Sequence, residues 1–240
     1  MFVSLLTYTP DAERLVATAA RLCYSAVDFH TLSRQTGTTD NRQMIDKVLA
    51  LGHHGVLEHA VFSFAAEGVS RALTHQLVRH RLASFAQQSQ RYVDFDNGFA
   101  YEMPPAIAGN HDMAARFDEA MRHLAELYVD LRAAGIAAED ARFVLPNAAH
   151  SRLLITMNAR ELRHFFRLRC CRRAQWEIRA LAKLMLQEVL QVAPALFQKA
   201  GPGCLAGACP EGKMSCGAAA EVRREFTDLF ADPAPFPDPA

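Results

Sequence analysis

Between Met113 and Ala134 apolar residues recur every three or four positions: Met113, Phe117, Ala120, Met121, Leu124, Leu127, Tyr128 and Leu131. At 3.6 residues per turn these positions line one side of a helix about six turns long. Such a helix cannot bury its stripe alone, so the fold must offer it a second layer. Strand-like segments are at hand to build one. "MFVSLLTY" at the start, "HAVFSFAAEG" closed by Gly68, and "SRLLITM" from Ser151 are short and rich in β-branched or aromatic residues. Further helices are predicted from Pro10, with Thr9 as cap, and from Asp40 to Leu51, with Met44, Ile45 and Val48 on one face. "SRALTHQLVRHR" reads as another. Asn158 caps the next, joined by Glu161 three residues on in a capping-box pattern. A last one carries Ile178, Leu181, Met185, Val189 and Val192 and ends before Pro194. The mixture is α+β: a mixed, largely antiparallel sheet flanked by long helices. One domain is expected over residues 1–200, followed by a Gly-, Pro- and Cys-containing tail, 201–240, with little regular structure.

Twenty-six basic and 26 acidic residues cancel, which argues against a general nucleic-acid binder. No apolar run approaches the roughly 20 residues that span a bilayer, so no membrane partner is expected. The N-terminus has no basic stretch before its short apolar run, and six cysteines without an export signal point to the reducing cytoplasm.

Positive charge is nonetheless concentrated. Residues 79–91 read "RHRLASFAQQSQR". Cations at a helix end also answer the helix dipole, so a solvated terminus is one reading of Arg79, His80 and Arg81. The Ser- and Gln-rich stretch that follows supports the other, a loop that binds an anion such as a phosphorylated ligand, with Arg as a planar fork. "HHGVLEH" crowds His53, His54, Glu58 and His59 but lacks the H-E-x-x-H arrangement, so neutral histidines facing a ligand suit it better than a metal. In "NARELRHFFRLRCCRRAQWE", Arg160, Arg163, Arg167 and Arg169 share a helix, with Arg163 and Arg167 expected on a solvated side balanced by Glu161 and Glu177. Neither a G-x-x-x-x-G-K-[ST] loop nor a G-x-G-x-x-G turn is present, so any dinucleotide would be held by side chains and helix ends.

The three clusters together resemble the flavin-dependent thymidylate synthases. Their motif, R-H-R followed by seven residues and Ser, stands here as Arg79, His80, Arg81 and Ser89. "HHGVLEHAVFSF", "HQLVRHRLASFAQQSQRYV", "ARFVLPNAAHSRLLITMNARELRHFF" and "LRCCRRAQWEIR" are similar to family segments, in order, across roughly Phe2 to Ala200. The resemblance implies a homotetramer with active sites assembled from several subunits. It implies reductive methylation of dUMP to dTMP, with methylenetetrahydrofolate giving the carbon, NADPH reducing bound FAD, and the reduced flavin giving the hydride.

Carried over by residue, Gln76, Arg79, Gln87, Gln88, Ser89, Gln90, Arg91, Arg142 and Arg169 are implied dUMP contacts, and Arg169 is the implied catalytic residue beside the pyrimidine. His53, Gly55, Arg79, His80, Arg81, Gln87, Asn158, Arg160 and His164 are implied FAD contacts. Gln87 stands where many relatives have Glu, Gly55 where a side chain helps hold FAD, and His164 where others have Asn. Ser89 has no base beside it in sequence and reads as a ligand contact, not a nucleophile. The alternative function is a non-catalytic nucleotide- or RNA-binding protein built on the same basic pocket. No residue is assigned to a metal. Cys204, Cys209 and Cys216, in "GPGCLAGACPEGKMSCG", lack the C-x-x-C spacing, and free thiols compete with a four-thiolate zinc site completed by Cys170 or Cys171.

Overall fold

Four strands, β1 (Phe2–Tyr8), β2 (Val61–Ser70), β3 (Ala83–Gln87) and β4 (His150–Asn158), pair in the order β1-β2-β4-β3 in a computed structural model that describes residues 1–231 and Pro233. The last part of the tail, residues 232 and 234–240, lies outside the described residues. The sheet, expected to be mixed and largely antiparallel, is antiparallel. Its register follows from two contacts between β2 and β4: the Ser63 and Thr156 hydroxyls meet at 2.8 Å, and Arg71 N–H donates to the Ala149 carbonyl at 3.0 Å.

Eleven helices are described: α1 (Ala12–Leu22), α2 (Phe29–Thr38), α3 (Arg42–Ala50), α4 (Arg71–Leu77), α5 (Pro105–Ala108), α6 (His111–Ala133), α7 (Ala138–Ala141), α8 (Ala159–Arg169), α9 (Trp176–Val192), α10 (Pro194–Phe197) and α11 (Ala219–Ala231). The chain forms two compact units, with boundaries that run through its strands. One holds Met1–Phe2, Ala65–Arg79 and Phe85–Leu154; the other holds Val3–Phe64, His80–Ser84 and Ile155–Ala240.

In the first unit, Ser70 Oγ accepts from Leu73 N–H at 3.0 Å and starts α4 where the strand ends. Gly68 does not close β2 as expected. It lies inside the strand with φ 64, a left-handed value that marks a local bend and that only glycine adopts without strain. The stripe on α6 is only partly covered within the chain. Met121 and Tyr128 are buried, with Tyr128 edge-on to Phe95 at 5.9 Å, whereas Met113 and Leu127 are 41% and 44% exposed.

In the second unit, Thr9 is not the cap of α1. Its N–H donates to the Val61 carbonyl at 2.9 Å and its hydroxyl accepts from Val61 N–H at 2.9 Å, so the sheet claims it and Asp11, left-handed at φ 48, precedes the helix instead. Phe197 stands edge-on to Phe62 at 5.3 Å and to Phe166 at 6.0 Å, locking α10 onto β2 and α8. The buried side of α9 is Ile178, Leu181, Met185 and Val189. The tail is not structureless. After two short 3₁₀ turns, α11 buries Val222, Phe226 and Leu229.

Candidate active site

The residues implied for dUMP fall in the first unit except Arg169, and those implied for FAD fall in the second except Arg79 and Gln87.

In the first unit, α7 gathers two arginines. Arg91 pairs with the Glu139 carboxylate at 2.9 Å, and Arg142 Nε donates to the Glu139 carbonyl at 3.1 Å. Arg71, which sequence reasoning missed, stands close enough to Arg142 to feel it. Burial first, and then the Arg142 charge, push its guanidinium below the ordinary arginine range. With Arg91 on the Glu139 carboxylate, Arg142 on the Glu139 carbonyl and Arg71 near Arg142, the cations outnumber the one acid they meet, a deficit that an anion would complete. Only Arg71's place at the head of α4 could have signalled it from sequence.

"ASFAQQSQR" is not a loop throughout. Residues 83–87 form β3, and Gln87 spends its side-chain amide as a donor to Ser151 Oγ at 2.9 Å. Gln88 N–H continues the pairing with the Arg152 carbonyl at 2.9 Å. The polar turn starts after that: Ser89 Oγ accepts from Arg91 N–H at 3.2 Å and the Ser89 carbonyl from Val93 N–H at 3.0 Å. These bonds shape the turn from which Ser89, Gln90 and Arg91 project. Gln76 is half-buried on α4, and Arg79 is exposed just beyond its end.

In the second unit, a buried chain of bonds links Glu161, His80 and Arg169. Arg169 Nε donates to His80 Nε2 at 3.1 Å, so His80 Nδ1 carries the proton and donates to Glu161 Oε1 at 2.9 Å. His80 and Glu161 are each 5% exposed. Burial pushes the histidine's pKa down, aided by Arg169 and His164 and opposed by the Glu161 hydrogen bond, so the ring stays neutral. His164 and Phe165 lie edge-on to it at 5.9 and 4.9 Å. His80, Glu161 and His164 have ligand-type atoms within 4.8 Å of one another. Both ring nitrogens of His80 are already bonded, which leaves it no lone pair for a metal.

The capping box at α8 is half made. Asn158 accepts from Glu161 N–H at 2.9 Å, but the Glu161 carboxylate goes to His80 and not back to the helix start. Nor are the two acids solvated: Glu161 and Glu177 are both buried, and Arg163 donates to the Leu196 carbonyl at 2.6 Å. Arg160 pairs with Glu58. Arg79 and Arg81 are exposed and make no ion pair among the described residues. His53 and Gly55 line a largely apolar cavity of about 420 Å³ with Ala19, Tyr24 and Val56, and the Tyr24 hydroxyl lies 3.3 Å from His53 Nδ1. A Cβ on Gly55 would meet nothing within 4 Å.

Residues 4–195 match the family described as thymidylate synthase complementing protein. A relative from Geobacter sulfurreducens named flavin-dependent thymidylate synthase is 54% identical over 230 residues, covering 95% of this chain and 99% of that one. One of the same name from Clostridium tetani is 48% identical over 240 residues, covering 93% and 96%. A crystal structure of the UMP/dUMP methylase PolB from Streptomyces cacaoi, bound with 5-Br dUMP, superposes with a TM-score of 0.69 at 25% identity over 82% of this chain and 93% of that chain.

Proposed function

The chain belongs to the flavin-dependent thymidylate synthases, and we propose on that footing that it converts dUMP to dTMP with methylenetetrahydrofolate as carbon donor and NADPH-reduced FAD as hydride source. The bound flavin, once reduced, supplies the hydride that turns the transferred methylene into a methyl group.

The residues present suit that cofactor in kind. Arg79 and Arg81 offer unpaired positive charge for a diphosphate, and Asn158 retains its amide NH₂ after its oxygen is spent on the cap. The apolar cavity at His53 and Gly55 suits a flat ring system.

The observation that carries the reading is the fixed guanidinium of Arg169. His80, neutral and locked in one tautomer, accepts from Nε and leaves the positive charge on the arginine, with the Glu161 carboxylate one residue further back. Set against a pyrimidine, such a cation favours ionised N3 and makes the ring richer in electrons for attack on the carbon donor. Arg91, Arg142 and the Ser89 turn take the dUMP phosphate, and Gln76, Gln87, Gln88 and Gln90 serve the rest of the nucleotide.

A homotetramer in the cytoplasm, with sites completed by neighbouring subunits, is part of this reading. Its support is the exposed apolar surface of the single chain, including Met113 and Leu127 on α6 and Phe143 and Tyr92 at 82% and 80% exposure. The test is turnover with dUMP, methylenetetrahydrofolate, FAD and NADPH, each omitted in turn. Loss of dTMP on omission of any one supports the assignment. A protein that binds no FAD and makes no dTMP is instead the non-catalytic nucleotide binder.

A further inference from the structure

Two adjacent cysteines at the end of α8 take different courses. Cys170 turns into the core, where burial pushes its thiol far up. Cys171 lines a cavity of about 380 Å³, and Cys204, Cys209 and Cys216 line the same cavity. All four belong to the second unit, and all six cysteines of the chain are unpaired. The three tail cysteines lie five and seven residues apart, on turns at Gly203–Leu205, at Cys209, and just after Gly212–Met214. The thiols act on one another: after burial, Cys209 and Cys171 are the next influences that hold Cys204 above the ordinary cysteine range, with Cys216 adding a smaller push.

The segment from Gly201 to Gly217 has almost no core of its own. Cys204 is its one buried apolar side chain apart from Pro202. Even so it is pinned in place. Arg223 donates to the Cys204 carbonyl at 2.9 Å and to the Gly207 carbonyl at 2.6 Å, Arg173 donates to the Met214 carbonyl, and Arg172 pairs with Glu221 at 2.6 Å. Gly203 is pressed so closely on Pro210 that a Cβ would stand 2.7 Å from its ring. A turn-rich segment held this way by hydrogen bonds, with Cys204 buried, Cys209 half-buried and Cys216 exposed on the wall of one cavity, lacks a cross-link where a core would otherwise be. Arg167, Arg169, Arg172 and Arg173 also line the cavity, and their charge suits the doubly negative group that a divalent ion and four thiolates make.

We propose that Cys171, Cys204, Cys209 and Cys216 bind one structural zinc ion as four thiolates, fastening the tail to the end of α8. Four sulfurs at about 2.3 Å from zinc stand roughly 3.8 Å apart. Among the described residues no three thiols lie within 4.8 Å of one another, so binding draws the turns inward. Gly212 and Gly217, at φ 51 and 75, sit between and beyond the ligands where that adjustment falls. The ion replaces four thiol protons, so affinity falls in acid. Cys171 is two residues from Arg169, and the zinc therefore also steadies the helix end that carries it.

The test is metal content of the full chain purified without chelator, and it does not depend on the reaction assigned above. About one zinc per chain is expected, with loss in Cys204→Ser and Cys209→Ser and retention in Cys23→Ser. Should the serine variants fail to fold, the parent decides: cobalt exchanged for zinc must give intense thiolate charge-transfer bands and the strong visible absorption of a tetrahedral ion, and chelation must expose four thiols to a disulfide reagent. Zinc below about 0.25 per chain, zinc retained in folded Cys204→Ser and Cys209→Ser, or iron with acid-labile sulfide in its place overturns the proposal.

Discussion

The Glu161 carboxylate stands 2.9 Å from His80 Nδ1, and both side chains are buried. The acid begins α8 in sequence yet serves a histidine 81 residues away, and through that histidine it holds Arg169. An unpaired buried group costs more than a made hydrogen bond contributes, so the three side chains stand or fall together.

Glu161→Ala strands the His80 Nδ1–H without an acceptor and is expected to cost about 1–3 kcal/mol of stability. Glu161→Gln keeps an oxygen in place and should recover most of it. The same pair separates positioning from folding. Alanine should lower kcat with a smaller change in KM for dUMP, and glutamine should restore kcat in large part. Equal losses of stability and kcat in the two variants would remove the hydrogen bond as the cause.

Because burial holds His80 below its ordinary value near 6.5, the unfolded chain takes up this proton before the folded one does. The neutral ring therefore contributes its full stability above about pH 6.5, and the contribution is lost as pH falls below that value. Chemical unfolding from about pH 8 down to pH 5 should show a declining midpoint, with a shallower decline in His80→Gln. Identical slopes in the two proteins would mean that the proton goes elsewhere.

Arg169→Ala removes the cation that the proposal assigns to the reacting ring while leaving α8 capped by Asn158. dTMP formation should fall by much more than tenfold, and the circular dichroism spectrum should not change. A loss within about tenfold, or roughly 1.4 kcal/mol, contradicts the role given to Arg169.

The elements that sequence makes legible are those whose signal is local. The stripe from Met113 to Leu131, the alternation in β4 and the buried face of α9 each repeat within one segment, and the helices and strand stand where the repeats put them. Failures occur where a distant partner outbids a local one. Thr9 has the chemistry of a cap, but Val61 takes both its N–H and its hydroxyl. Glu161 has the spacing of a capping box, but a buried histidine competes for the carboxylate. In the tail, Val222, Phe226 and Leu229 recur at helical spacing, but the Gly- and Pro-rich composition just before them masks the pattern of α11. The site follows the same rule. Arg91 and Arg142 are 51 residues apart and meet only at Glu139, an acid that no motif marks.

Arg91→Ala removes a cation from the turn assigned to the phosphate and releases Glu139, whose bare carboxylate then repels the same anion. dUMP should bind more weakly while deoxyuridine, which has no phosphate, is little affected, so the two affinities converge. A preserved preference for dUMP places the phosphate elsewhere.

Gly55 offers a test by addition. Its φ is not among the positive values of this chain, so an L side chain is tolerated, and a Cβ there meets nothing within 4 Å. It lines the same cavity as His53, where a hydroxyl would add a donor to a largely apolar wall. Gly55→Ser should therefore fold as stably as the parent and hold FAD several-fold more tightly, since one hydrogen bond is worth about 1 kcal/mol. Quenching of flavin fluorescence on titration reads the affinity directly. Unchanged FAD binding with unchanged stability would show that the cavity beside His53 does not receive the cofactor.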